Sequence, residues 1–255
     1  VMWTFKGDVG HYPWVYDLNN DGRDEVIAGY TVLTADGEPM WRIDMEDHAD
    51  CIWVADLYEN GKPVILVGGA DTTAYTPDGK LLWRFTDTVE SQNIAPGKFF
   101  TDVDGLQIAG LDRIVREGTD GKDGVFIFDC NAKSLYKENR KSIGWSSIVT
   151  TLHNFVRGSK QDYILAYRRG EEEKSGIFDG NMNCIVEFPF EGHAMYGDLN
   201  GDGISKVVLY NDDSIVIYSS EETDLSKAAN SGVMKQPKRL YNWTRYWGSE
   251  LPMTK

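Results

Sequence analysis

A short acidic turn recurs along this chain and sets its organisation. Residues 17–22 read Asp-Leu-Asn-Asn-Asp-Gly and return as Asp-Leu-Asn-Gly-Asp-Gly at 198–203, with looser copies at 56–61 and 102–105 and a fifth turn at 157–160. The glycines of these turns recur at intervals of 39 to 53 residues. A repeat of this length, divided among about four short strands, is typical of β-propeller blades.

A second kind of turn recurs in phase with the first. Residues 36–42 read Asp-Gly-Glu-Pro-Met-Trp-Arg and residues 78–84 read Asp-Gly-Lys-Leu-Leu-Trp-Arg, while 131–137 keep the spacing with Asn-Ala and Tyr, and Asp179–Gly180 begins a looser version. Each pattern indicates a tight turn that leads into an outer strand with one large aromatic side chain. We therefore predict an all-β fold, a β-propeller of four-stranded blades in which five blades are visible.

The two ends of the chain leave the closure of the ring open. We predict a single domain over residues 1–255, with an outer strand at 1–6, a polar surface excursion at 220–238 and a closing strand at 239–247. Either the N-terminal strand completes the last blade and closes a five-bladed ring, or the chain is the C-terminal part of a larger ring. Full closure would remove unpaired sheet edges.

Composition excludes several classes of function. The 255 residues carry a formal net charge of −14, so no basic surface is available for a nucleic-acid backbone. No apolar run reaches the roughly 18 residues of a membrane helix, so we expect no membrane span. The three cysteines form no CxxC pair, which excludes a thiolate zinc knuckle.

The first acidic turn has the pattern of a calcium loop. Carboxylate and amide oxygens alternate along a tight loop, a glycine allows the turn, and a glutamate closes the set, as Ca²⁺ requires. The alternative is a solvated acidic turn without metal. The predicted ligand positions are Asp17, Asn19, Asp21, Arg23 and Glu25.

The second copy differs at one position. Asp198, Asn200 and Asp202 repeat three of the ligands, but Lys206 stands where Glu25 would recur. We keep these three residues as candidate calcium ligands, with the alternative that the lysine ammonium replaces part of the cation's charge. The turns at 56–61, 102–105 and 157–160 lack the ligand set and are predicted to be free of metal.

Histidines mark the opposite end of the blades. His11, His48 and His193 each stand just before a predicted inner strand, and Asp47 and Asp50 share these connections. Because blades surround a central axis, we expect repeated positions to converge at one mouth of the channel. Such a group predicts a second metal site or a proton-transfer site. The alternative is that each histidine caps its own strand.

Basic and aromatic residues complete the set of candidates. Arg42, Arg84, Arg113 and Lys98 are placed to reach a ligand, unless they form an ordinary solvated face. The aromatic rings with a candidate role in stacking on sugars, or alternatively in the core between blades, are those of Tyr12, Trp14, Trp53, Trp145 and Tyr196.

Several segments, taken in order, resemble a known enzyme family. The stretch from His11 to Gly37 and the segment His-Ala-Asp-Cys-Ile-Trp-Val-Ala-Asp at 48–56 are similar to the rhamnogalacturonan lyases of polysaccharide lyase family 11. The likeness continues through Gly97-Lys-Phe with Gly105-Leu-Gln, through 193–198, and through Arg-Leu-Tyr-Asn at 239–242. FG-GAP propellers share the calcium loop alone.

The resemblance implies an extracellular or cell-surface, calcium-dependent propeller that cleaves a uronate-containing polysaccharide or oligosaccharide by β-elimination. His48 with Asp50 is then the leading pair for metal binding or catalysis, His11 and His193 follow, and Lys98 and Arg113 are further catalytic candidates. Tyr12, Arg42, Arg84 and Tyr196 are the candidate substrate-binding residues. The alternative is a non-catalytic calcium-binding FG-GAP-type propeller that binds glycan or protein.

Overall fold

The fold consists of short antiparallel strands. The computed structural model describes residues 1–112, 124–137, 148–167, 175–190 and 192–222, and this part of the chain contains 19 β-strands and no helix. The strands are β1 (Trp14–Tyr16), β2 (Glu25–Ala28), β3 (Thr31–Leu33), β4 (Pro39–Arg42), β5 (Cys51–Ala55), β6 (Val64–Gly68), β7 (Thr72–Tyr75), β8 (Leu81–Phe85), β9 (Ser91–Gly97), β10 (Gln107–Asp112), β11 (Gly124–Phe128), β12 (Ser134–Lys137), β13 (Ile148–Leu152), β14 (Tyr163–Tyr167), β15 (Gly176–Phe178), β16 (Cys184–Glu187), β17 (His193–Gly197), β18 (Lys206–Tyr210) and β19 (Ile215–Tyr218). No helical segment in these ranges has the length and hydropathy of a membrane span.

Five sheets follow one another along the chain. Four have four strands and the last has three, and within each sheet the strands pair antiparallel in chain order. We call these sheets blades 1 to 5, beginning with β1–β4 and ending with β17–β19. The prediction of an all-β fold in a propeller-like arrangement is confirmed. The predicted closing strand at 239–247 and most of the excursion at 220–238 lie outside the described residues.

Neighbouring blades pack face to face. Side chains alternate across each strand, so Ile52 and Val54 of β5 face blade 1 while Trp53 faces blade 3. Four core clusters of this kind join blades 1 and 2, 2 and 3, 3 and 4, and 4 and 5, and none of the four joins blade 5 to blade 1. In blades 2 and 3 the first three strands are therefore buried on both faces.

The outer turns share one geometry. In blades 1 to 4 the residue at the tip has a positive φ, and the pairing with the outer strand then shifts by one residue at a bulge. Glycine provides this φ at Gly37 (86°) and Gly79 (85°), because glycine has no Cβ to clash. Blade 4 departs from the expected position, since Met182 rather than Gly180 has the positive φ (59°).

Indole hydrogen bonds tie two outer strands and the N-terminal segment to the blade that follows each of them. In three cases a tryptophan Nε1 donates to the carbonyl just before the tip of the next outer turn: Trp3 to Ala35 (3.0 Å), Trp41 to Pro77 (2.8 Å) and Trp83 to Cys130 (2.8 Å). Residues 1–6 nevertheless form no strand, because no described strand pairs with them, and our prediction of an outer strand there was wrong. Trp3 alone keeps the position of an outer-strand tryptophan.

Candidate functional site

The two ends of the blades differ in their chemistry. We call the end at which the first strand of each blade begins the front face. The back face is the end at which the acidic turns connect the first strand to the second. Because the strands are antiparallel, the hairpins between second and third strands return to the front face.

Three of the predicted site residues come together on the front face. His11 lies just before β1, and His48 and Asp50 lie just before β5. A backbone hydrogen bond from the His11 N–H to the Ala49 carbonyl (2.9 Å) holds the two segments together. Gly10 permits this close approach, since its φ is +64° and an added Cβ would lie 2.5 Å from the Ala49 oxygen.

The three side chains form a compact group of donor atoms, which we call the front-face cluster. His48 Nε2 lies 3.0 Å from His11 Nε2 and 3.6 Å from Asp50 Oδ1, and His11 Nδ1 lies 3.8 Å from Asp50 Oδ1. Asp47 Oδ1 lies 3.0 Å from His48 Nδ1, so the other ring nitrogen faces the cluster. The Asp50 side chain is 1% exposed, whereas the two histidine side chains are 38% and 44% exposed. The cluster is thus open to solvent on its histidine side.

This arrangement suits a bound cation. Two imidazole nitrogens at 3.0 Å need a proton or a metal ion between them, because two lone pairs at that distance repel. A buried carboxylate beside them adds negative charge that is costly unless it is neutralised. Imidazole and carboxylate together bind divalent ions such as Zn²⁺, while Ca²⁺ takes mainly oxygen ligands. The cluster offers three protein ligands and leaves further positions for water or for the oxygens of a bound acid.

The two candidate arginines each lie on an outer strand and are paired with a carboxylate. Arg42 Nε lies 3.1 Å from Asp44 Oδ1, and both side chains are well exposed. Arg84 binds Asp71 through Nε and Nη2, and half of its side chain remains exposed. Asp71 orients the guanidinium of Arg84 on the front face, because it lies in the hairpin between β6 and β7.

Among the aromatic candidates, one lies at the cluster and two lie in the core. The Tyr12 ring contacts the His11 ring edge to face at 6.2 Å. Tyr196 is 6% exposed and packs between blades 4 and 5, and burial, with Asp162 nearby, raises the pKa of its phenol. Tyr196 is therefore a core residue and is not available to a substrate, contrary to our expectation. Trp53 is likewise buried in the core.

The third histidine does not join the front-face cluster. His193 begins β17, and its ring lies against that of Tyr210 at 5.5 Å. The cluster draws only on blades 1 and 2, because only neighbouring blades bring their connections into contact. Arg113, the remaining arginine candidate, lies outside the described residues.

The first acidic turn lies on the back face, and two of its carboxylates accept hydrogen bonds from other residues of the turn. Asp17 accepts hydrogen bonds from the N–H groups of Asp21 (3.1 Å) and Gly22 (3.0 Å). Glu25, 2% exposed, accepts from Leu18 N–H (2.8 Å) and from Asn19 Nδ2 (3.1 Å).

The arginine of this turn does not offer its side chain to a metal. The Arg23 guanidinium forms two hydrogen bonds with Asp36, which raises the pKa of Arg23 and lowers that of Asp36. A guanidinium has no acceptor atom, so only the backbone carbonyl of Arg23 can serve as a ligand.

Lys98 also belongs to the back face. It follows β9, and its ammonium donates to Glu59 Oε2 (2.8 Å) and to the carbonyls of Val103 and Gly105 (both 2.9 Å). Its three donors are engaged on the side of the molecule away from the front-face cluster. Lys98 is therefore placed to stabilise a turn, away from the cluster with which we had grouped it as a catalytic candidate.

The second copy of the acidic turn holds an ammonium among its candidate ligands. Lys206 Nζ contacts Asn200 Oδ1 (2.5 Å) and Asp202 Oδ1, and it lies 3.8 Å from Asp198 Oδ1. Asp198, Asn200 and Asp202 thus surround the Lys206 ammonium, which favours the alternative that the lysine replaces part of the cation's charge.

Asp71 is the front-face residue that the sequence analysis missed. Its side chain is buried and binds Arg84 across blade 2. Asp71 comes close to Arg84 because the residue after it, Thr72, pairs with Phe85, the residue after Arg84. Only the strand register shows this, and the register is not visible in the sequence alone.

Comparisons with known proteins support the fold. No family model matches the sequence, and no curated protein matches it. Three solved rhamnogalacturonan lyases are similar in structure, with TM-scores of 0.52 to 0.54 over 81–84% of this chain. They are the exotype rhamnogalacturonan lyase YesX (19% identity), the rhamnogalacturonan lyase YesW (13%) and the Bacillus licheniformis rhamnogalacturonan lyase PL11 (13%).

The match covers only part of each lyase. This chain spans 37% of the YesX chain and 48% of each of the other two chains. At these identities the likeness shows a common fold.

Proposed function

We propose that this chain belongs to a calcium-dependent, extracellular polysaccharide lyase that acts on a uronate-containing, rhamnogalacturonan-like glycan. The observation that carries the proposal is the front-face cluster of His11, His48 and Asp50, on a fold shared with rhamnogalacturonan lyases. Its nitrogen and carboxylate donors suit a cation that also contacts an acid group on a substrate.

The chemistry of β-elimination explains why such a cluster is needed. A base removes the proton on the sugar carbon next to the uronate carboxylate, the carbon–oxygen bond at the neighbouring carbon breaks, a carbon–carbon double bond forms, and the departing oxygen takes up a proton from water. This proton becomes acidic only when the carboxylate is neutralised. In the proposed site, His11, His48 and Asp50 hold the cation, and Arg84, oriented by Asp71, provides a second positive group.

The overall charge makes a local cation still more necessary. A net charge of −14 repels an anionic polysaccharide at long range. Asp47 and Asp50 add negative charge at the cluster itself. A bound divalent ion would neutralise this local charge and let a uronate approach.

Rhamnogalacturonan mixed with the protein, with Ca²⁺ for the blade 1 turn and a second divalent ion for the front-face cluster, should give a rising ultraviolet absorbance from unsaturated uronate ends. Parallel reactions with Mn²⁺ and Zn²⁺ identify the ion that the cluster uses, and a chelator should stop the rise. If no uronate-containing glycan gives unsaturated products although the protein is folded, the lyase proposal fails. Retarded migration in a gel containing the glycan, without absorbance, would favour the non-catalytic binding alternative.

We further propose that Ca²⁺ binds the blade 1 turn and stabilises the fold. The candidate ligands are the side chains of Asp17, Asn19, Asp21 and Glu25, all through oxygen, which is the ligand type that Ca²⁺ prefers. Three carboxylates in one short loop repel one another without a cation. Glu25 is buried, and the two neutral donors that bond to it, Leu18 N–H and Asn19 Nδ2, leave its negative charge for an ion to neutralise.

Saturating Ca²⁺ should raise the melting temperature by roughly 5–10 °C, since an ion at a hundred times its Kd adds about 2.7 kcal/mol. Differential scanning calorimetry with Ca²⁺ and with EDTA measures the shift. Glu25→Gln should reduce it, while Glu38→Gln, an exposed glutamate on the outer turn of the same blade, should leave it unchanged. A melting temperature that does not respond to EDTA would contradict the proposed site.

A further inference from the structure

The blade 5 turn has the same backbone as the blade 1 turn. Asp198 accepts hydrogen bonds from the N–H groups of Gly201 (2.8 Å), Asp202 (3.0 Å) and Gly203 (2.8 Å). Gly203 has a φ of 85°, and its counterpart in blade 1, Gly22, has a φ of 87°. The two turns therefore offer oxygen atoms in matching positions.

The two turns differ in the residue that begins the second strand of the blade. Glu25 begins β2 and Lys206 begins β18, and both side chains are almost completely buried (2% and 0% exposed). Asp17, Asp21 and Glu25 give the blade 1 turn three negative charges. Asp198, Asp202 and Lys206 leave the blade 5 turn with one. A carboxylate in the first turn is thus exchanged for an ammonium in the second.

The Lys206 ammonium occupies the centre of its turn. It donates to Asn200 Oδ1 (2.5 Å), Asp202 Oδ1 and the Ile204 carbonyl (2.8 Å), with Asp198 Oδ1 at 3.8 Å. An ammonium has three donors, and all three have an acceptor here. These oxygen atoms come from alternate residues of the turn, as the ligands of a calcium loop do.

The Lys206 ammonium lowers the pKa of a neighbouring carboxyl group in the turn. Burial raises the pKa of the Asp202 carboxyl, but hydrogen bonds from Lys206 and from the Ile204 N–H, together with the lysine charge, lower it to about 2. The carboxylate form is therefore favoured. A buried ammonium is tolerated because each of its three donors has an acceptor and one acceptor, Asp202, is a carboxylate.

We propose that Lys206 is a built-in cation that takes the place of Ca²⁺ and makes the blade 5 turn independent of metal. The residues of this turn do not fit a metal ion while the ammonium is present, because both would need the same oxygen atoms. Lys98 offers a parallel on the same face, since its ammonium also fills a turn between the first two strands of a blade. The contrast with blade 1 rests on the calcium proposed there, whereas the role of Lys206 does not.

The test is to replace the lysine of the blade 5 turn by a glutamate. Lys206→Glu recreates the pattern of Glu25, so this variant should bind one more Ca²⁺ per chain than the wild type in equilibrium dialysis. Its melting temperature should also respond more strongly to EDTA than that of the wild type. Lys62→Glu, an exposed lysine next to the acidic turn of blade 2, is the matched control and should change neither value. The gain is counted against the wild type, so it does not depend on whether the blade 1 turn binds Ca²⁺.

A second variant keeps the test decisive if Lys206→Glu does not fold. Asp202→Asn should leave the number of bound Ca²⁺ ions unchanged, because the wild-type turn binds none. Loss of one Ca²⁺ in Asp202→Asn would overturn the proposal, and so would a folded Lys206→Glu variant that binds no additional Ca²⁺.

Discussion

Alanine in place of His48 is expected to lower the rate of glycan cleavage at least about a hundredfold, the usual scale for losing a group that acts on a proton or a charge at the reacting centre. His48 contacts His11 at 3.0 Å and lies 3.6 Å from Asp50, so its removal opens the cluster that we assign to the cation. Asp50→Asn should have an effect of similar size, because Asp50 is the buried carboxylate that both histidines approach. Initial rates of unsaturated uronate formation measure both variants.

The same variants show whether His48 acts as a ligand. If His48 binds the ion, His48→Ala should weaken binding of Zn²⁺ or Mn²⁺ by about tenfold or more in calorimetric titrations, and raising the concentration of the ion should partly restore the rate. His153→Gln is the control, because His153 lies outside the front-face cluster and pairs with Asp162 at 2.8 Å. If His48→Ala cleaves the glycan at the wild-type rate, the cluster has no role in the proposed reaction.

The fold was predictable because short turn motifs recur from blade to blade. Gly37 and Gly79 mark the tips of outer turns, and Trp41 and Trp83 follow them at a fixed distance and bind the next blade. These are local features, and each depends on a few neighbouring residues. Blade 4 was harder to place because Met182 adopts a conformation that usually calls for glycine.

The site was only partly predictable, because it depends on which blades are neighbours. His11 and His48 belong to adjacent blades and meet, while His193 belongs to blade 5 and contacts Tyr210 instead. Lys98 was grouped with the arginines by charge and was named a catalytic candidate beside the histidines. Lys98 follows β9 and does not precede it, so it lies on the back face. The Tyr196 side chain lies on the side of β17 that faces blade 4. The register of β17 determines which of its side chains face that way.

The mutation that should cost most stability is Phe128→Ala, at the interface of blades 2 and 3. Phe128 is 0% exposed, and its ring stacks on Phe85 at 4.2 Å and meets Trp83 edge to face at 5.6 Å. Removing a fully buried aromatic ring typically costs about 3–5 kcal/mol, because the apolar contacts are lost and a cavity remains. Aromatic pairs of this geometry add to the loss.

Urea unfolding followed by tryptophan fluorescence measures this cost. Leu81→Ala is the control, since Leu81 lies on β8 of the same blade pair and is 49% exposed, so its free energy of unfolding should stay within about 0.5 kcal/mol of the wild type. A cost below about 1 kcal/mol for Phe128→Ala would mean that blades 2 and 3 do not share the packed core described above. Because the front-face cluster joins blades 1 and 2, a folded Phe128→Ala protein should keep the affinity of the cluster for its ion, which separates a loss of stability from a loss of the site.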